Sequence, residues 1–471
     1  RKRDLTGILS PLLAYPVLML GIGWRASKRN TDSADFFVGG RSLGGVVEAL
    51  RGSARSWSAR SVLGVSGAAF AWGLPAIWLI PATVLGFCIN WFLIAPRLSR
   101  QSRENGALTL TEFIAGPPGD PARRIMMRLG AAVILFSFTF YIAAQFQAAG
   151  KTFASVLEVD QAVAIVVGAA VVLVYVWLGG FWAASVTDSV QGLLMALCAL
   201  LLPLIALVSV GGPAELAASL VPDRGGEGIW TGQASLPAAI GFVFGLFGIG
   251  LGYPGQPHVV NRFMAIRDER AIRTGRRIAI TWAMIIYTGM VTLGWCGRVL
   301  VTDLGDGEQV LFVMATLLLP ALAAGIMVSA ILSAIMSTAD SQLLVAASSV
   351  SHDFQGGRDD GNGLARARWV VFAIGLLAIL LAVFFPDDIF SRVLFAWQAL
   401  AAAFGPLLVV TLWCGAVHPA WRLAALVSGF GLTVVLSWTV SSPGDWVERL
   451  VPLALALLLA LVGARRACNV R

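Results

Sequence analysis

Charge is what this chain has least of. Only 13% of its 471 residues are Asp, Glu, Lys or Arg, 58% are hydrophobic and the mean hydropathy is +0.80. Ordinary soluble domains carry about 25% charged residues, so a soluble globular protein of this length is excluded, and a chain that crosses a bilayer many times remains. Cysteine is also scarce. Cys88, Cys198, Cys296, Cys414 and Cys468 lie far apart without metal-ligand spacing. Four of them sit in apolar runs and read as small core residues, not disulfide partners. No nucleophile–base pair, metal-ligand cluster or phosphate-cradling loop is present, which points away from an enzyme. A single basic face is missing too. The formal charge is +8, but the arginines come in short runs between apolar segments, a pattern that membrane topology imposes and nucleic-acid binding does not.

What is present is a series of apolar runs. About 20 residues are needed to cross roughly 30 Å of hydrocarbon, and runs of that order lie near 6–24, 45–70, 72–96, 125–151, 160–181, 184–211, 235–262, 275–299, 318–349, 367–385, 388–415, 421–439 and 447–464. That makes thirteen expected spans. The first has no small-residue cleavage site after it and reads as a span, not a signal peptide. If it runs from outside to inside, 23 of the 34 Lys and Arg residues fall in inner loops and 8 outside. This asymmetry places the amino terminus outside and the carboxyl terminus in the cytoplasm of a plasma (inner) membrane protein. The three remaining basic residues, Arg51, Arg55 and Arg60, lie inside the second run.

That run, 45–70, has apolar ends and a polar middle, Arg51-Gly52-Ser53-Ala54-Arg55-Ser56-Trp57-Ser58-Ala59-Arg60. A charge at bilayer depth costs roughly 2.5–3.5 kcal/mol even on lenient insertion scales. Two readings follow: a helix broken inside the membrane around a binding site, or a cytoplasmic loop leading to a shorter helix from near Ser61. With the first span set aside, 45–211 and 235–415 each supply five spans of opposite sense, and the opening member of each five is interrupted. In the second it is Gly248-Ile249-Gly250-Leu251-Gly252-Tyr253-Pro254-Gly255-Gln256-Pro257-His258, where glycines and prolines are expected to stop the helix. Paired interruptions are the sequence mark of an inverted-repeat transporter; two unrelated kinks are the alternative. The expected organisation is 1–44 (first helix and inner loop), 45–211 (first repeat), 212–415 (second repeat) and 416–471 (two final helices and a short tail).

Polar residues inside spans are candidates for the site. Ala334, Ser337, Thr338 and Ser341 share one helical face, where hydroxyls could hold a small dehydrated cation or simply pack helices. Asp340 beside them favours function. Asp188 and Gln191 stand one turn apart, although Asp188 could instead cap a helix start. Tyr141 and Gln145 could orient a small polar solute or bond between helices. Trp397 marks another pliable span, and His258 reads as a structural residue at the inner break.

Taken together, these motifs resemble the sodium/solute symporters. The resemblance rests on Phe36-Phe37-Val38-Gly39-Gly40-Arg41-Ser42-Leu43-Gly44 and Asn105-Gly106-Ala107-Leu108-Thr109-Leu110-Thr111-Glu112-Phe113. It also rests on Thr187-Asp188-Ser189-Val190-Gln191 and Met336-Ser337-Thr338-Ala339-Asp340-Ser341-Gln342. Gly250-Leu251-Gly252-Tyr253, Gly255-Gln256-Pro257-His258 and Arg262-Phe263-Met264-Ala265 are most similar to the sodium/proline branch. The resemblance implies an all-α polytopic membrane protein of about 13 transmembrane helices with a LeuT-like 5+5 inverted repeat, one chain forming the functional unit in the lipid bilayer. It also implies alternating access, with uptake of a small organic solute, an amino acid such as proline or a carboxylated solute, driven by Na+. By position, the sodium site falls on Ala54, Trp57, Ala334, Ser337 and Thr338. A second cation position found in some members falls on Asp188, Asp340 and Ser341. The solute position falls between the two breaks, on Ser53, Arg55, Ser56, Arg60, Tyr141, Gln145, Ile249, Gly250, Tyr253 and Trp397.

The chain departs from the branch pattern at four places. Ser56 stands where an aspartate is characteristic, Arg55 where a small residue is common, Arg60 where an aromatic follows, and Ile249 where an aromatic is expected. At about 4 Å, a like-charge pair costs on the order of 4 kcal/mol at an effective dielectric of 20. A guanidinium turned into the cation position would therefore replace sodium. This leaves open a sodium-independent uniporter or exchanger beside the sodium-coupled carrier. A membrane solute sensor is the reading from another class; the long soluble extension usual for one is not expected, because six residues follow Arg465.

Overall fold

The computed structural model describes residues 5–27, 63–107, 109–157, 159–221, 229–266, 268–302, 304–350, 363–385 and 389–469. Among the described residues there are seventeen α-helices and no strand. In chain order they are α1 (Leu5–Ser27), α2 (Val65–Trp72), α3 (Leu79–Cys88), α4 (Ala95–Asn105), α5 (Leu110–Ile114), α6 (Arg123–Leu157), α7 (Gln161–Val210) and α8 (Pro213–Leu220). Then follow α9 (Leu236–Leu251), α10 (Pro257–Ala265), α11 (Glu269–Leu300), α12 (Val310–Leu318), α13 (Ala321–Ser348), α14 (Gly363–Phe384), α15 (Ile389–Cys414), α16 (Pro419–Thr439) and α17 (Trp446–Asn469). Ten helical stretches among the described residues are long and apolar enough to cross a bilayer, and up to eleven if the bent pair Cys198–Val210 and Pro213–Leu220 is one span.

Local signals explain where these helices begin. Asp268 caps α11 by accepting the Ala271 N–H at 2.8 Å, and Glu269 and Arg298 lie at the ends that suit the helix dipole. Thr109 caps α5 by accepting the Glu112 N–H at 3.0 Å. Asp160 caps α7 through Ala162 at 2.9 Å and Val163 at 3.2 Å.

The helix begun at Asp160 corrects one expectation. The runs at 160–181 and 184–211 are carried by one 50-residue helix, without a break at Gly179-Gly180. Glycine permits a break but does not force one, and the first proline after Asp160 is Pro203. Asp188 therefore lies inside a helix and caps no helix start.

Helices α13 and α15 form the core. Their apolar windows are buried over 76% and 89%, against 28% for α16, which lies at the outside of the bundle. Long helix α7 packs against α1, α6, α11, α13 and α14, while α15 packs against α6, α16 and α17. The molecule has two polar ends. At one, Arg422 pairs with Asp120 at 2.5 Å and Arg123 with Glu112 at 2.9 Å, and the Leu110 N–H donates to Asn261 Oδ1 at 2.7 Å. At the other, Lys151 pairs with Asp306 and Glu308, and Arg298 donates to the Phe70 and Ala71 carbonyls at 2.7 and 3.0 Å. Cys198 and Cys296 are buried as expected, but Cys414, at the end of α15, is exposed.

Candidate solute and cation site

The interruption in the second half is real but lies further along than the glycine count implies. Helix α9 continues through Gly248, Ile249 and Gly250 to Leu251. The break is Gly252–Gln256, a single 3-10 turn at Tyr253–Gly255 followed by extended Gln256. Pro254 and Pro257 decide it: neither nitrogen carries a hydrogen, and each ring clashes with the preceding turn. The glycines before them keep helical dihedrals.

A break in the membrane strands backbone carbonyls that water cannot reach. Here the turn's own N–H groups reach the Ile249, Gly252 and Tyr253 carbonyls at 3.2–3.3 Å, and side chains add further bonds. Gln256 Nε2 donates to the Gly252 carbonyl at 3.1 Å and to the Trp397 carbonyl of α15 at 2.8 Å. Trp397 Nε1 donates back to the Ile249 carbonyl at 3.1 Å, and Asn90 Nδ2 donates to the Tyr253 carbonyl at 3.2 Å. The absence of side chains at Gly252 and Gly255 lets the turn lie directly against α15. A Cβ on Gly255 would sit 2.6 Å from Ala401 Cα, and one on Gly252 would sit 2.8 Å from Trp397 Nε1.

Aromatic rings close around the break. Tyr253 stacks edge-on against Trp397 with centroids 4.7 Å apart and lies 5.1 Å from Phe87. His258, in the first turn of α10, meets Phe138 at 5.4 Å, Tyr141 at 6.0 Å and Trp397 at 6.2 Å. Tyr141, Gln145, Ile249, Tyr253 and Trp397 are all buried. His258 bridges α6 and α15 across this cluster, a larger part than a residue that merely ends a helix.

On α13, Ser337, Thr338, Asp340 and Ser341 are buried. Ser341 Oγ lies 3.0 Å from the Ser337 carbonyl and 3.1 Å from Asp340 Oδ1, and it accepts from Arg262 Nη2 of α10 at 3.2 Å. Its single proton serves one of those two oxygens at a time. Ala334 lies on the same helix, and only its backbone is described, as is that of Asp188 on α7. Ser53, Ala54, Arg55, Ser56, Trp57 and Arg60 lie outside the described residues. The structure thus brings together Tyr253, Trp397 and Tyr141 around the second break, and Asp340 and Ser341 on α13. Asn90 was not expected at this centre; Gln256 and His258 were expected at the break, His258 as a structural residue, but not as partners of Trp397 and Tyr141. A lone amide within the apolar run 72–96, and two polar residues flanking Pro257, were their only signals.

A model of the sodium:solute symporter family matches residues 36–429. This chain belongs to that family. It is 32% identical over 456 residues to the high-affinity proline transporter PutP of Bacillus subtilis (strain 168), covering 94% of each chain. To the sodium/proline symporter of Escherichia coli (strain K12) it is 34% identical over 439 residues, covering 90% of this chain and 85% of that one. Among solved structures, a Na+-coupled sialic acid symporter in an outward-open state superposes with a TM-score of 0.79 at 16% identity, over 98% of this chain and 97% of its own. Mhp1, a nucleobase-cation-symport-1 family transporter, gives 0.58 at 15% identity, over 92% and 95%. The fold of this symporter is therefore the LeuT-like one. Its activity is sodium-coupled uptake of a small organic solute, and it is a multi-pass membrane protein. Sodium is cargo in this chemistry, and the sodium-independent mechanism gives way to the coupled one.

Proposed function

We propose that this symporter takes up proline, or a closely similar amino acid or carboxylated solute, with Na+ by alternating access. The observation that carries this reading is the aromatic box at the second break. Tyr253, Trp397, Tyr141 and His258 pack on one another beside the interrupted backbone Gly252–Gln256. Aromatic faces next to backbone polar groups are what a small saturated ring with a carboxylate would need when the break opens. The names of the relatives, proline transporters at 32–34% identity over 90–94% of the chain, support the same solute.

Sodium is assigned to the Ala54 and Trp57 carbonyls, the Ala334 carbonyl and the hydroxyls of Ser337 and Thr338. A second cation is assigned to Asp188, Asp340 and Ser341. Hard oxygen donors on α13, buried from water, suit a dehydrated Na+. Repeats at 45–211 and 212–415, one chain as the working unit, an external amino terminus and a cytoplasmic carboxyl terminus complete the proposal.

The experiment is uptake of labelled proline into proteoliposomes under an inward sodium gradient, repeated with choline in place of sodium. Accumulation with sodium and none with choline is expected. Uptake that ignores the replacement would overturn the coupling, and failure of excess unlabelled proline to compete would overturn the solute.

A further inference from the structure

Among the described residues, three guanidiniums lie over aromatic rings at the arginine-rich end. Arg97, 4.3 Å from the Trp413 ring, also lies 3.5 Å from the Leu93 carbonyl. Arg368, 5.3 Å from the Trp177 ring, donates to the Trp177 carbonyl at 3.1 Å. Arg276 of α11 differs. Its Cζ stands 4.2 Å from the centroid of Phe92, the residue is half-buried, and it makes no hydrogen bond or ion pair with any described residue. Five N–H donors in a fixed fork are therefore left without an acceptor. Phe92 belongs to a π-helical stretch, Ile89–Ile94, that joins α3 to α4. Phe92 and Leu93 are 49% and 46% exposed at the outside of the bundle. On α11, Arg273, Arg277 and Met284 fall on one face by helical spacing, and all three are exposed.

We propose that the groove between the start of α11 and the π-helical stretch binds the phosphate of an anionic phospholipid. Helix α11 has 32 residues, about 48 Å at 1.5 Å per residue, and the hydrocarbon layer is roughly 30 Å thick. Its first turns therefore reach out of the hydrocarbon, and Arg273–Arg277, one to two turns from its start, lie at headgroup depth. A phosphodiester there meets three guanidiniums on neighbouring turns, and Arg276 can hold two of its oxygens in one plane. The Phe92 ring under Arg276 fixes that plane before the ligand arrives. Phe92, Leu93 and Met284 offer apolar surface to the acyl chains beside it. A soluble anion would satisfy the arginines and leave that surface bare. An acidic protein segment would have to enter the lipid phase to reach Phe92. The inference goes beyond solute uptake and does not depend on which solute is carried.

The test titrates dioleoylphosphatidylglycerol into the full-length protein in a neutral detergent and counts bound lipid by native mass spectrometry. Dioleoylphosphatidylcholine and inorganic phosphate are the parallel arms. The anionic lipid is expected to bind more tightly than the choline lipid, and millimolar phosphate is expected not to displace it. Arg276→Gln should weaken its binding by about fivefold or more. Arg97→Gln removes the same charge from the same end and should leave the binding nearly unchanged. Equal loss in the two variants, or no loss in Arg276→Gln, overturns the site. Displacement by phosphate, or equal binding of the choline lipid, overturns the phospholipid as its occupant. Should Arg276→Gln fail to fold, Arg273→Gln and Phe92→Leu, which removes the ring and keeps an apolar side chain, decide on the same readout. No solute is needed, so failure to transport proline would overturn the proposed solute and leave this result standing.

Discussion

Gln256 is buried and bonds two carbonyls at once, one on each side of the contact between the broken helix and α15. Gln256→Ala removes one donor from each, although the Gly252 carbonyl keeps the Gly255 N–H at 3.2 Å and the Trp397 carbonyl lies inside α15. Each lost hydrogen bond costs about 0.5–1.5 kcal/mol, so the variant should show a lower midpoint in thermal unfolding in detergent and weaker solute binding. A midpoint equal to wild type would contradict this account. The hydroxyls of α13 make a different prediction. Ser337→Ala and Thr338→Ala each remove one hard oxygen donor while keeping helix packing. The sodium concentration giving half-maximal uptake should rise by about tenfold or more, with turnover at saturating sodium much less affected. Serines and an aspartate at helical spacing were readable as a candidate cation face, since periodicity alone decides which side chains share a side. The role of Gln256 was not readable, because one of its partners is 141 residues away.

At the scale of elements, the break shows how proline and glycine divide the work. Prolines at 254 and 257 stop α9, whereas Gly252 and Gly255 let the turn lie against α15. Gly255→Ala would drive a methyl group to 2.6 Å from Ala401 Cα, a backbone atom that cannot swing aside. Overpacking of this kind costs about 1–3 kcal/mol, and here it also pushes α15 from the break. We expect reduced sodium-dependent uptake together with a lower unfolding midpoint; normal uptake would show that the close approach is dispensable. The same division explains the misplaced boundary. Glycines at 248 and 250 look like breakers in a sequence, yet neighbouring helices hold them helical, and Gly179-Gly180 stays inside α7 for want of a proline.

For the whole molecule, the arginine-rich end is tied by a buried pair, Arg422 of α16 to Asp120 at 2.5 Å, with the side chains 3% and 11% exposed. Removing one partner strands the other charge, which costs about 3–5 kcal/mol. Asp120→Asn should therefore lower the unfolding midpoint clearly more than Arg422→Met combined with Asp120→Leu, and equal losses would argue against a stranded charge.

The sequence by itself determined that the chain crosses a bilayer, where the apolar runs lie, and that the opening run of the second half is interrupted. These follow from composition and from hydrogen-bonding rules that act over a few residues. The family was legible as well, because its motifs are local strings spread along the chain. Only the tertiary structure decided what surrounds the break. It placed Asn90, Gln256 and His258 around Tyr253 and Trp397, set Arg262 against Ser341, and gathered Lys151, Glu308 and Phe390 at one end. Those neighbours come from helices far apart in the chain, and their meeting is set by how whole helices pack, which no local pattern encodes.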